Sequence, residues 1–261
     1  MRFGCCLDAT AGLEKIAQLA EIGYDYVELS LAPLAVMPEA EFQPLAAAIG
    51  RAGLPCEACN VFYPRHVRLT GDDVNWPQVQ DYTQRAIARA AQLGAQIIVF
   101  GSAGAKKVPD GFPAGRAWAQ IVETLRMADP LAAAHGITIA IEPLNRRESN
   151  IVLTAAEGLA LAREVDRPQI KLLVDYYHLA LEEESPAILL EAAEAVRHIH
   201  IAQVEGRAFP TTVQEGYQAF FANLKAIGYA GRVSVEARTT DFADDAARAF
   251  KVLEQLATIA V

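Results

Sequence analysis

The chain has 261 residues, 52% hydrophobic and 21% charged, a balance that excludes a disordered chain and permits a large core. A net charge of −9 argues against a surface built to neutralise nucleic-acid phosphates. No apolar run approaches the roughly 20 residues a bilayer-spanning helix needs, and Asp8 interrupts the N-terminus before a signal-peptide core forms, so a cytoplasmic protein is expected.

From the N-terminus one unit recurs eight times: a short apolar run, then an amphipathic helical stretch. The runs cover 2–7, 25–31, 55–62, 95–100, 137–142, 170–175, 197–202 and 232–237. The helical stretches cover 12–22, 38–51, 78–93, 115–135, 154–164, 186–195, 212–228 and 241–259. Gly23, Gly53, Gly94, Gly136 and Gly228 each follow a helical stretch, where a left-handed cap is wanted. Thr154 with Glu157, and Thr212 with Glu215, have the spacing of capping boxes. Strand–helix alternation predicts a parallel sheet with crossover helices. Eight such units without a linker or second composition zone predict an α/β fold, one (β/α)8 TIM barrel spanning residues 1–261, with its site at the C-terminal ends of the strands.

The alternation within the runs supports closure. Ile139 and Ile141 oppose Thr138, Ala140 and Glu142; Ile199 and Ile201 oppose His198 and His200; Val233 and Val235 oppose Ser234 and Glu236. The aliphatic sets are expected to meet the helices, and the small and polar sets to line the interior. An open doubly wound sheet would bury apolar residues on both faces, and would want a glycine-rich loop where Cys6-Leu-Asp-Ala-Thr stands. Cys56 and Cys59 form a C-x-x-C within the third run. On a regular strand they would face opposite ways and share no metal, and no second pair completes a zinc site.

Four consecutive runs carry Glu142, Asp175, His200 and Glu236 at or near their C-terminal ends, all in phase with the interior. Three carboxylates and an imidazole converging in a low dielectric would repel unless compensated, and a divalent cation removes the conflict. An oxygen-rich set with one nitrogen favours Mn²⁺ foremost, or Mg²⁺ or Co²⁺. Glu148, His178 and Arg207 follow the fifth, sixth and seventh runs. His198 is expected deeper, as a hydrogen-bonded partner. His66, His135 and the cations Arg65, Arg68, Lys106 and Lys107 are expected on solvated surfaces.

The segments Ile141-Glu-Pro-Leu-Asn-Arg146 with Glu148, Asp175-Tyr-Tyr-His178, His198-Ile-His200 and Val235-Glu236 resemble the xylose-isomerase-like sugar isomerase/epimerase superfamily, in particular the ketose 3-epimerase and keto-sugar epimerase group. The resemblance implies that Glu142, Asp175, His200 and Glu236 hold the metal and that Glu142 and Glu236 form an acid/base pair. It implies that Glu148, His178 and Arg207 bind a small sugar or keto-sugar. It also implies a homo-oligomer, dimer or tetramer, with a hetero-subunit as the alternative. The segment from His200 to Arg207 is one residue longer than that pattern and lacks its Pro-Gly, which brings modified sugars such as 3-keto-glycosides into range.

The expected reaction inverts a carbon next to a carbonyl through a cis-enediolate. Aldose–ketose isomerisation, a dehydratase or glycoside-lyase outcome, and a non-catalytic sugar-binding barrel remain open. A three-zinc nuclease on the same barrel would need more histidine than the five present, and contacts to DNA.

Overall fold

Hydrogen bonding runs unbroken around the molecule. The computed structural model describes residues 1–9 and 12–258. In it β1 (Arg2–Leu7), β2 (Tyr26–Ser30), β3 (Cys56–Asn60), β4 (Ile97–Phe100), β5 (Thr138–Ile141), β6 (Ile170–Asp175), β7 (Val196–Ile201) and β8 (Arg232–Val235) pair in sequence order. All pairs are parallel and β8 returns to β1, closing a (β/α)8 barrel. The interleaved helices are α1 (Leu13–Ile22), α2 (Leu31–Val36), α3 (Glu39–Gly50), α4 (Trp76–Leu93), α5 (Ala103–Lys106), α6 (Ala114–Ala133), α7 (Ala155–Val165), α8 (Tyr176–Leu181), α9 (Ile188–Glu191), α10 (Glu215–Ala226) and α11 (Phe242–Thr258). Among the described residues no helix is long and apolar enough to cross a membrane.

Seven of the eight expected helices form close to their expected positions. The last residue of the expected 241–259 helix, Ile259, lies outside the described residues. The expected 186–195 helix shortens to α9, because the Ala195 amide turns back onto the Ala192 carbonyl and sends the chain into β7. Three short helices, α2, α5 and α8, sit directly after strands and carry too few turns for a periodic signal. The five expected cap glycines all take positive φ. Gly94, at φ 88°, hands its amide to the last turn of α4. Thr154 caps α7 through the Glu157 amide at 3.1 Å. Thr212 caps nothing, since α10 begins only at Glu215 with Gln214 before it.

The alternation sorts the strand residues into two apolar clusters. Ile139, Ile141, Ile199, Ile201, Val233 and Val235 join the outer core beneath the helices. Tyr26, Ala58, Ile97, Val99, Ala140 and Leu173 fill the interior. At the N-terminal mouth Glu57 accepts from Arg2 and Arg232, closing the interior below this layer.

Two β-bulges interrupt the regular pleat. The pairing steps from Val27↔Cys56 to Glu28↔Ala58, and from Leu172↔Val196 to Leu173↔His198. The first overturns the expectation for Cys56 and Cys59. With Glu57 as an extra residue, both thiols face the outer core, their sulfurs 4.0 Å apart.

A Cβ on Gly4 would stand 2.3 Å from the Tyr26 ring. Gly4→Ala should therefore destabilise the protein by about 1–3 kcal/mol through overpacking, read as a lower urea midpoint at unchanged slope. An unchanged midpoint would show that the interior layer has room to yield.

Candidate active site

Each acid stands where its strand runs out. Glu142 follows β5, and its amide continues the ladder onto Phe100 O at 3.3 Å. Glu236 follows β8 and does the same onto Ile201 O at 3.2 Å. Asp175 ends β6 and starts α8. Its Oδ1 accepts from the Tyr177 amide at 2.8 Å, which leaves Oδ2 for the interior. His200, on β7, is fully buried.

One atom from each of Glu142, Asp175, His200 and Glu236 lies within 4.8 Å of the other three. Glu142 Oε1 and Glu236 Oε2 each approach His200 Nδ1 to 3.4 Å. Glu142 Oε1, Asp175 Oδ2 and His200 Nδ1 are buried and make no hydrogen bond. Orphaned polar atoms of this kind cost roughly 1–3 kcal/mol each when nothing satisfies them. Three orphans converging with the Glu236 carboxylate fit a hard divalent cation.

The three further positions join the same site. Arg207 ion-pairs with Glu236, with Asp175 Oδ2 at 3.6 Å and with Glu148 Oε2 at 3.5 Å, and covers the Tyr177 ring at 4.8 Å. The longer segment reaches the site because Gly206 and Arg207 take positive φ in a turn, which Gln203 N–H closes onto Ala208 O at 2.8 Å. His178, in the first turn of α8, has Nε2 3.6 Å from Asp175 Oδ2. Its Nδ1 accepts from the Asn145 amide at 3.2 Å, so the ring proton sits on Nε2, which faces the site without a partner.

The electrostatics separate the two glutamates. Burial, reinforced by the charge of Glu236, holds Glu142 above the usual carboxylate range. Burial pushes Glu236 up as well, but His200 and Arg207 outweigh it and hold that carboxyl low. Burial also raises Asp175. Burial, with Arg207 close by, drives His178 down to about 3, so it stays neutral.

Several contributors carry no motif. Glu28 on β2 is fully buried and accepts from His198 Nε2 at 2.7 Å, His200 Nε2 at 2.9 Å and Ser234 Oγ at 2.7 Å. Its signal in the sequence is an acid at an inward position of the second run. His198 is the deeper hydrogen-bonded partner expected. Asn60, ending β3, donates to Glu236 Oε1 at 3.1 Å. Gly101 leaves room for Glu142, since a Cβ there would lie 2.0 Å from Oε2. Lys106 corrects an expectation. It is fully buried, with Nζ 3.2 Å from Glu142 O and 3.4 Å from Phe100 O, because α5 folds it back under the strand ends. His66, His135 and Lys107 are exposed as expected.

The chain resembles known proteins over most of its length. A family model described as xylose isomerase-like TIM barrel matches residues 16–256. A ketose 3-epimerase of Arthrobacter globiformis is 29% identical over 248 residues, 90% of this chain and 83% of that protein. A 3-dehydro-D-guloside 4-epimerase of Escherichia coli K12 is 27% identical over 250 residues, 92% and 91% of the two chains. An L-ribulose 3-epimerase of Methylomonas sp. strain DH-1 is 38% identical over 120 residues, 46% of this chain, and the match spans only 41% of that relative's length. A solved D-psicose 3-epimerase with D-tagatose, from Clostridium cellulolyticum H10, superposes with TM-score 0.86 at 20% identity, covering 98% and 99%.

Burial pulls the Lys106 ammonium from about 10.5 down to about 8. Between those values the unfolded chain holds the proton more firmly than the folded one, so the Lys106 contribution to stability grows as pH rises through that window. The difference in unfolding free energy, wild type minus Lys106→Met, should be flat from pH 6 to 7.5 and climb from 8 to 10.5. Parallel curves across the window would mean that the buried amine titrates normally.

Proposed function

The chain belongs to the xylose isomerase-like TIM barrel family, and from that membership we propose a divalent-metal-dependent carbohydrate epimerase that inverts a carbon next to a carbonyl in a ketose or keto-glycoside. The observation that carries the reading is the convergence of the three orphaned atoms, Glu142 Oε1, Asp175 Oδ2 and His200 Nδ1, with Glu236. The two relatives matched over more than four-fifths of both chains are named as epimerases acting at carbon 3 and carbon 4 of different sugars, which supports the reaction class over a single substrate.

Glu142, Asp175, His200 and Glu236 are the residues that would hold the ion, with Mn²⁺ the first candidate for an oxygen-rich set with one nitrogen. Such an ion supplies Lewis-acid polarisation of the substrate carbonyl, which makes the neighbouring C–H acidic enough to break.

The protein groups then divide the proton work. Glu236, held low by His200 and Arg207, is ionised and takes the proton from the carbon next to the carbonyl. The electron pair of that C–H bond moves into a cis-enediolate. Glu142, whose carboxyl burial shifts toward the protonated form, is the group that delivers a proton taken up from solvent to the opposite face of the same carbon. The new C–H bond has inverted configuration, and the two glutamates end with their protonation exchanged. Exchange with water restores them, which predicts solvent hydrogen in the product. His178 Nε2–H and the Arg207 guanidinium donate to substrate oxygens, and Glu148 accepts from a hydroxyl.

Proton NMR of a ketose and 3-keto-glycoside panel in D₂O with Mn²⁺ should show deuterium entering one carbon next to the carbonyl as the epimer accumulates. Deuterium at the neighbouring carbon with an aldose product would make the enzyme an isomerase. Loss of a substituent would make it a lyase. Glu236→Gln and Glu142→Gln should each lower turnover by at least 10²-fold, with Glu236→Gln also abolishing deuterium wash-in. Full wash-in by Glu236→Gln would remove that residue as the base.

EDTA followed by gel filtration should abolish activity, and Mn²⁺ should restore it. Undiminished turnover in the stripped protein would refute the metal requirement.

A further inference from the structure

We propose that Glu28 is a positioning residue, which fixes the tautomer and orientation of His200 so that Nδ1 presents a lone pair to the centre formed with Glu142, Asp175 and Glu236. The inference deepens the proposed function and rests on its reading of His200 as a ligand.

The argument is a count of donors around one buried carboxylate. Glu28 sits in the barrel interior on β2, one turn of the pleat above Tyr26. Oε1 lies 2.9 Å from His200 Nε2; Oε2 lies 2.7 Å from both His198 Nε2 and Ser234 Oγ. An ionised carboxylate only accepts, so all three neighbours must donate to it. Ser234 having given its proton to Glu28, Tyr26 OH, 2.8 Å away, donates to Ser234 Oγ. The network therefore has a single direction, ending on Glu28. Both histidines therefore hold a proton on Nε2, and His200 Nδ1, the nitrogen left over to bind a cation, stands between Glu142 and Glu236, each at 3.4 Å.

The competing tautomer has an obvious attraction in this setting. A proton on Nδ1 could be donated to either carboxylate, which would spend the one nitrogen ligand on a hydrogen bond. Glu28 removes that option by holding the proton on the far side of the ring. A carboxylate behind a histidine ligand also raises the basicity of the ligating nitrogen, and removing such partners typically costs 10–100-fold in metal affinity. The β-bulges bring the parts into register: one precedes Glu28 in the β2–β3 pairing, and the other sets His198 opposite Leu173 and so His200 opposite Asp175.

Cys6 Sγ lies 4.0 Å from His200 Nε2, so Cys6, Glu28 and His200 could in principle hold an ion of their own. Glu28 disfavours this, since each of its oxygens already accepts from a donor at hydrogen-bond distance.

The test reads binding and tautomer, with no assay of turnover. Glu28→Met keeps the volume and removes the acceptor. Its Mn²⁺ dissociation constant, followed by the EPR signal of free Mn²⁺, should rise 10–100-fold over wild type. In metal-free protein, titrated upward until the His200 ring is neutral, ¹⁵N shifts should show the remaining proton on Nε2 in wild type and displaced toward Nδ1 in the variant. A second arm needs no variant: wild type loaded with diamagnetic Mg²⁺ should show His200 protonated at Nε2 and bare at Nδ1. His200→Ala is the benchmark. If His200→Ala loses Mn²⁺ but Glu28→Met binds within twofold of wild type with an unchanged tautomer, the Glu28 inference alone fails. If wild type does not bind Mn²⁺, or His200→Ala binds as tightly, the ligand set fails first. Nε2 bare in the loaded wild type, or two ions per chain with one lost in Cys6→Ser, would overturn the positioning role.

Discussion

Like charge held close together in a place with little water is the constraint around which this molecule is arranged. Two like charges about 4.8 Å apart repel by roughly 3–4 kcal/mol at an effective dielectric near 20, and Glu142, Asp175 and Glu236 have ligand atoms within that distance of one another. The fold supplies part of the compensation. Arg207 lies against Glu236 and Asp175, His200 stands between the two glutamates, and the Asp175 Oδ1 is drawn off to cap α8. What remains is a set of oxygen and nitrogen atoms without partners, all directed at one point. A site of this kind is expensive to build and is left partly unsatisfied where it binds something.

The barrel makes the arrangement possible because strand ends converge. Each acid needs only to be the last inward residue that its strand's ladder still holds, and the closed sheet brings it to the common centre. The interior below is split by polarity. A small apolar layer around Tyr26 and Val99 supports one side, while Glu28, His198, His200 and Ser234 form a hydrogen-bonded group on the other. Both bulges border this group, and each adds one residue to a strand without disturbing the outer core. The same device that adjusts the site layer brings Cys56 and Cys59 to one face.

The family gives a fold and a reaction class more firmly than a substrate. The relatives aligned over most of this chain are named for different sugars and different carbons. The enediolate proposed above serves inversion at either carbon, so that proposal rests on the strand-end centre and not on one sugar. The parts free to differ are the loops after the strands, and the turn that delivers Arg207 is one of them.

The strand–helix alternation, the closed barrel and the four strand-end positions were all legible in the sequence, because period-two and 3.6-residue patterns are local and each acid sits in phase with its own strand. His198 as a deeper partner was legible for the same reason. The partnership of Glu28 with β7 and β8 was not, since nothing local marks which acid on one strand meets which histidine on another. Lys106 looked like a solvated cation until α5, too short to show a period, folded it under Glu142. The C-x-x-C pair was misplaced because a bulge is a property of two strands and leaves no trace in one. Patterns within a segment therefore fixed the elements and the rim residues. Only the closed structure decided which buried groups face one another, because such contacts depend on how separate segments pack, and those of Glu28 join residues more than a hundred positions apart.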